Sequence, residues 1–170
     1  MFDGDYELTG IHATYAKFLK DDALLYDYIV DVYMNGAVFG LLYNRRSPKD
    51  NESSDKVRIF SDAFARRREK CIFLYRLVML LEKKTASDTQ ARVDRAFRDD
   101  ADESKAEEVK ANLDLFHEYV RGGIEIMYER FIEGGHNKED YLEKAMDFMA
   151  EFSQDVSGDS FEDKVAALIG

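Results

Sequence analysis

Cys71, His12, His117 and His136 are the chain's scarcest reactive side chains, its only cysteine and its three histidines. A zinc site needs four N or S ligands at short, characteristic spacings, and these four residues do not supply them. His117-Glu118 opens a His-Glu-x-x-His pattern, but position 121 is an arginine, so the second zinc ligand is missing. Asp114-x-x-His117 and Glu133-x-x-His136 imitate the carboxylate-x-x-His pairs of di-iron bundles. The second pair straddles Gly134-Gly135, where a helix should end, and the other helices offer no inward glutamate. His117 is therefore read as an interfacial histidine with its hydrogen bonds satisfied. Cys71 opens an apolar run, which predicts a buried, inert thiol. No Gly-x-Ser-x-Gly turn is present, and Gly36-x-x-x-Gly40 lacks the Lys-Ser/Thr ending of a phosphate loop. Asp27 and Asp31 stand one turn apart on a largely apolar stretch, and a structural salt bridge to Arg66–Arg68 or Arg76 is expected of them. The reading is of a protein without catalytic residues, metal or cofactor.

The elements that carry these residues read as helices. A single proline and no tryptophan suit an all-α chain better than a sheet protein, and 170 residues suffice for one domain with its own core. The organising stretch is Asp27–Asn44, the least polar of its length, with Gly36 and Gly40 one turn apart. Each glycine costs a helix about 1 kcal/mol, so close approach of another helix must offset it. Gly122-Gly123 punctuates a second long helix, Lys105 to Glu133, and predicts a kink, a break or a close crossing there. Flanking these are a helix from Gly10 to Lys20, one from near Ala23 through the glycine stretch, and one from Ser61 or Asp62 to about Lys84. The last of these is apolar nearly all round over Cys71–Leu81, which predicts burial by several neighbours. A short helix from Thr89 to Phe97 is capped at Ser87-Asp88, and another follows Asn137, with Tyr141, Leu142, Ala145, Met146, Phe148, Met149 and Phe152 seeking the core. The expected fold is an all-α, single-domain helical bundle of six to seven helices over residues 1–170. Residues 1–8 are expected to form a flexible arm, 47–56 a mobile loop, and 154–160 a linker to a terminal helix over Phe161–Ile169. Val57–Phe60 alternates like a strand, but no second strand is in view to pair with it.

Charge is unevenly laid out around a net of −11. Residues 1–44 hold 2 Lys or Arg against 7 Asp or Glu, residues 45–98 hold 15 against 8, and residues 99–170 hold 7 against 20. Three basic clusters stand out in the middle: Arg45-Arg46, Arg66-Arg67-Arg68, and Arg92, Arg95 and Arg98 spaced every three residues. They are the candidate contacts to a protein partner or to nucleic acid. The acidic last third offers a further role, imitation of a phosphate track by a DNA mimic. The acidic N-terminus lacks a signal-peptide profile and no apolar run reaches membrane-spanning length, so a cytoplasmic protein with no membrane partner is expected. A homo-oligomer is compatible with the glycine groove.

Two stretches carry a resemblance. Tyr26-Asp-Tyr-Ile-Val-Asp-Val-Tyr-Met-Asn-Gly-Ala-Val-Phe-Gly40, followed by Asn44-Arg-Arg-Ser-Pro48, is the first. Phe116-His-Glu-Tyr-Val-Arg-Gly-Gly-Ile-Glu-Ile-Met127 is the second. In order and spacing, roughly over residues 18–150, the chain resembles small helical proteins encoded beside bacterial DNA-phosphorothioation (dnd) and other anti-phage defence loci. The Arg-rich and then acidic centre of this chain departs from that family. The resemblance implies an accessory or adaptor subunit that binds other protein subunits encoded at the same locus, and no catalytic residues to carry over. A nucleic-acid-binding regulator and an acidic DNA mimic are the alternatives.

Overall fold

The computed structural model describes residues 1–157. In chain order they form β1 (Tyr6–Thr9), α1 (Ile11–Lys17), α2 (Ile29–Leu42), β2 (Lys56–Ile59), α3 (Ser61–Arg66), α4 (Arg68–Leu81), α5 (Thr89–Phe97), α6 (Ala106–Phe131) and α7 (Lys138–Ser157). A π-turn over Phe18–Asp22 extends α1, and two 3₁₀ turns precede α6. The fold is all-α in character, its seven described helices accompanied by one small ribbon.

The centre is the crossing of α2 and α6, and glycines set its closeness. A Cβ at Gly123 would stand 1.8 Å from the Gly36 carbonyl oxygen, and one at Gly40 would stand 2.0 Å from that of Tyr119. Gly36 meets the Val120 carbonyl in the same way, while Gly122 faces the Arg45 carbonyl on the other flank. Backbone therefore lies on backbone, and α6 passes through its glycine pair as one unbroken helix. Around the crossing, Val32, Tyr33, Ala37, Phe116, Val120, Ile124 and Met127 are fully buried. Burying each large apolar side chain contributes roughly 1.5–3 kcal/mol. Tyr33 meets Phe64 edge-on at 5.2 Å and Phe116 at 6.0 Å, which ties α3 to both central helices.

The start of the chain differs from the free arm expected. Phe2 is buried against Phe64 and Phe116, and Tyr6–Thr9 pairs antiparallel with Lys56–Ile59. The partner of the alternating segment thus lies some fifty residues upstream. Local patterning cannot report a pairing of that separation. The segment over 47–56 is anchored too. The Asp50 carboxylate accepts from Ile11 N at 2.6 Å, Thr14 Oγ1 donates to Asp55, and Gly10 N donates to the Asp55 carbonyl. Gly10 has φ 62°, and a side chain there would collide with Asp50.

Two helices are shorter than the periodicity suggests. The segment from Ala23 to Tyr28 is not helical: Leu24 adopts φ 56°, and the Leu25 amide donates back to the Leu19 carbonyl, closing the preceding turn. Asp21 and Asp22 at the C-terminal end of that turn oppose its dipole, which favours termination there. The helix expected from Ser61 to Lys84 breaks at Arg67, whose side chain reaches back to Asp31. α7 runs through Ser157, so Gln154–Ser157 is helix rather than linker. The expected terminal helix, Phe161–Ile169, lies outside the described residues.

Candidate functional site

The three basic clusters, the candidate contacts to a partner, are largely engaged by carboxylates. Arg45 is clamped between Glu125 and Glu129 at 2.6 Å each, and Arg46 lies 3.5 Å from Glu118. Arg67 forks onto both oxygens of Asp31, at 2.7 and 3.3 Å, and stacks over Tyr28. This is the salt bridge expected for Asp31, and Asp27 lies outside α2. Arg66 pairs with Asp62 one turn away, and Arg68 approaches Asp3 at 3.7 Å. Arg66 and Arg68 remain exposed, and with Lys70 they border a polar hollow of about 610 Å³.

The stripe of Arg92, Arg95 and Arg98 does not face solvent together. Arg92 and Arg95 are 5% and 6% exposed, while Arg98 is outside and paired with Asp94. A spacing of three lags the 3.6-residue turn, so the row drifts around α5 and its first two members fall on the side packed on α4. Arg95 closes the end of α4: its Nε donates to the Met79 carbonyl at 2.8 Å, and its Nη2 donates to the Glu82 carbonyl and to Glu82 Oε2. Burial would raise the Glu82 carboxyl, but hydrogen bonds from Thr85 and Arg95 outweigh it and hold the group below its ordinary range. Arg92 donates to Thr89 Oγ1, while its Nε and Nη1 have no partner among the described residues.

His12, His117 and Cys71 are structural in their settings, while His136 is exposed. His12 is buried and donates from Nε2 to Glu125 at 2.9 Å, because a carboxylate can only accept. Ser47 donates to the same carboxylate, so Glu125 ties α1, the loop after α2 and α6 together. Ser47 points at the carboxylate and not at the imidazole, so the trio is not arranged for nucleophilic attack. His117 stacks on Tyr6 at 4.0 Å and lies 3.1 Å from the Tyr33 hydroxyl. Burial, with the charge of Arg121 added, lowers it to about 3, so it stays neutral in the fold. Protons then bind the unfolded chain preferentially between the ordinary histidine value of 6.5 and about 3. Stability is therefore lost as pH falls through that window. Thermal melts across pH 6.5 to 4 should show His117→Gln losing stability less steeply than the parent. Equal slopes would mean that His117 titrates normally. Cys71 is buried and its thiol is pushed up to about 11 by desolvation. Among the described residues, no three of His, Cys, Asp and Glu gather as a metal-binding group.

What the surface does offer is apolar. α4 buries Cys71, Tyr75, Val78 and Met79, but its opposite face is open, and Phe73 is 63% exposed. Among the described residues, the helix that looked apolar all round is thus covered on one side only. Ile72, Phe73, Leu77 and Leu80 of α4 with Phe97 of α5 border a hollow of about 430 Å³. Phe73 and Leu74 also border a second hollow with Met34 and Val38 of α2. Val38 in turn borders a third, with Leu42, Met149 and Phe152. The three share walls, so one strip runs from α5 across α4 and α2 to α7. α7 itself sends Tyr141, Ala145 and Phe148 inward and leaves Leu142, Met146 and Met149 at 54%, 63% and 66% exposure. The core-seeking set expected on that helix is therefore split between two faces. Contiguous exposed apolar surface rimmed by polar residues is the kind of surface that interaction sites use. No described helix is long and apolar enough to cross a membrane.

Comparison with known protein families, characterised proteins and solved structures finds no match to this chain.

Proposed function

We propose that the chain is a non-enzymatic accessory protein that binds other protein subunits through the apolar strip on α5, α4, α2 and α7. The observation that carries this reading is the strip itself: Phe73, Phe97, Leu42 and Met149 stand open on adjoining helices, held by a rigid glycine-packed centre. Flat or grooved apolar surface with a polar rim is what protein interfaces desolvate. The resemblance of residues 26–48 and 116–127 to small helical proteins of DNA-phosphorothioation and other anti-phage loci supports placing this adaptor in a bacterial defence or DNA-modification system.

A second reading, nucleic-acid binding, draws on the hollow bordered by Arg66, Arg68 and Lys70. It is the weaker one, since seven of the eight candidate arginines already face a carboxylate and Arg92 is buried. A tagged pull-down from native lysate, run with and without nuclease, separates the two. The adaptor reading expects stoichiometric proteins that survive nuclease and are lost when Phe97→Glu and Met149→Glu are combined. Capture that disappears with nuclease, together with DNA affinity that falls steeply with salt, would replace it with the second reading.

A further inference from the structure

The strip carries unlike charge at its two ends. At the α4 end, Lys70 and Arg76 line the hollows, and neither meets a carboxylate within ion-pair distance among the described residues; Arg76 stacks over Phe97 at 5.4 Å. Glu69 is the one acidic group bordering that end among the described residues. At the other end, α7 has two lysines against six carboxylates in its sequence. Helical spacing sets Glu139 alongside the open Leu142 and Glu143 alongside the open Met146, with Lys138 at the first turn. Both carboxylates are likewise without a cationic partner among the described residues, and the exposed Arg130, stacked over Tyr43 and Phe148, is the cation set against them beside the third hollow. Between the ends lies α2, with the uncharged Asn35 and Val38 shared by two of the hollows.

From this layout we infer that the occupant of the strip is a second copy of this chain, in a two-fold dimer whose axis passes near Val38. The inference rests on the strip being an interaction surface, as proposed above, and names one of its partners. A surface with opposite charges at its ends and apolar residues between them is complementary to itself under a two-fold rotation. Rotation lays the acidic α7 of each copy on the basic α4–α5 groove of the other, and Met146 and Met149 meet Phe73 and Leu77. A chain of net charge −11 resists self-association in general, so the contact must be local, and the basic α4 end supplies the counter-charge. Head-to-tail pairing would leave one apolar end bare on every assembly, whereas the two-fold arrangement covers both.

Sedimentation equilibrium of the full chain tests this. The parent should run at twice the chain mass. Phe73→Glu, at a side chain too exposed to disturb the core, should weaken the dimer by about thirtyfold or more while leaving the thermal melt unchanged. Lys70→Glu with Arg76→Glu should weaken it by about tenfold, as should Glu139→Lys with Glu143→Lys. All four changes in one chain should recover most of that loss. Such recovery identifies the facing charges and cannot come from a folding defect. A parent that stays monomeric at every concentration overturns the inference, as does a dimer indifferent to these variants. A monomer that still captures a partner through the strip would end the dimer and leave the adaptor reading in place. A dimer that captures nothing else would do the reverse.

Discussion

Replacing Gly123 by alanine should destabilise the protein by about 3 kcal/mol or more, even though alanine is the better helix former by about 1 kcal/mol. The reason is geometric. The added methyl would stand 1.8 Å from the Gly36 carbonyl oxygen and 2.5 Å from the Gly40 amide nitrogen, both backbone atoms of the central partner helix. Neither can rotate away as a side chain would, so α2 and α6 must separate along their crossing. The buried residues around that crossing, Tyr33, Ala37, Phe116 and Val120 among them, would lose contact together. In urea unfolding the midpoint should drop sharply, and the slope should hold if the variant remains two-state. Gly4→Ala is the matched control, because a Cβ there meets nothing within 4 Å among the described residues. A Gly123→Ala protein as stable as the parent would mean that the two helices do not touch backbone to backbone.

The second large effect belongs to Arg95. Arg95→Ala should cost about 3–5 kcal/mol, since it strands the buried Glu82 carboxylate and uncaps the last carbonyls of α4. Arg95→Lys should recover little of it, because one ammonium cannot reach Met79 O, Thr85 Oγ1 and Glu82 together as the guanidinium fork does. The cost should also depend on pH in a defined direction. In the parent, Glu82 is held below its ordinary value of 4.5, so its contribution is present above that value and is lost as pH falls through the lowered one. Without Arg95, burial acts on the carboxyl with less opposition and the group prefers its proton. The gap between parent and variant should therefore narrow on acidification. A gap that stays constant down to the acid limit would show that Glu82 is not the group left stranded.

These two sites differ in how far the sequence reveals them. Gly36-x-x-x-Gly40 and Gly122-Gly123 interrupt long apolar patterns at a cost in propensity, and a close crossing is among the few structures that offset it. The same logic places the cap at Asp88, whose carboxylate accepts from Ala91 N at 2.8 Å. Arg95 reads the other way. Arginine in a basic run suggests a solvated or phosphate-facing stripe, and only the drift of a three-residue spacing against the 3.6-residue turn, with Glu82 thirteen residues earlier, hints at burial. The ribbon of β1 with β2 is illegible for a different reason, because pairing between Tyr6 and Ile59 is a long-range contact with no local signature. The strip was obscured by its own composition. An apolar run such as Cys71–Leu81 looks like core from the sequence alone, and which face stays open depends on how many helices come to cover it. Among the described residues only one side of α4 is covered, and α7 likewise leaves Leu142, Met146 and Met149 on the outside.

The most direct test of the strip's role is site-specific photocrosslinking in cells. A photoreactive phenylalanine analogue would replace Phe73, Met149 or, as an exposed control on the loop before β2, Asn51. Discrete protein adducts are expected at positions 73 and 149 and none at 51. Adducts to nucleic acid at 73 and 149, or the same diffuse products at all three positions, would contradict that role.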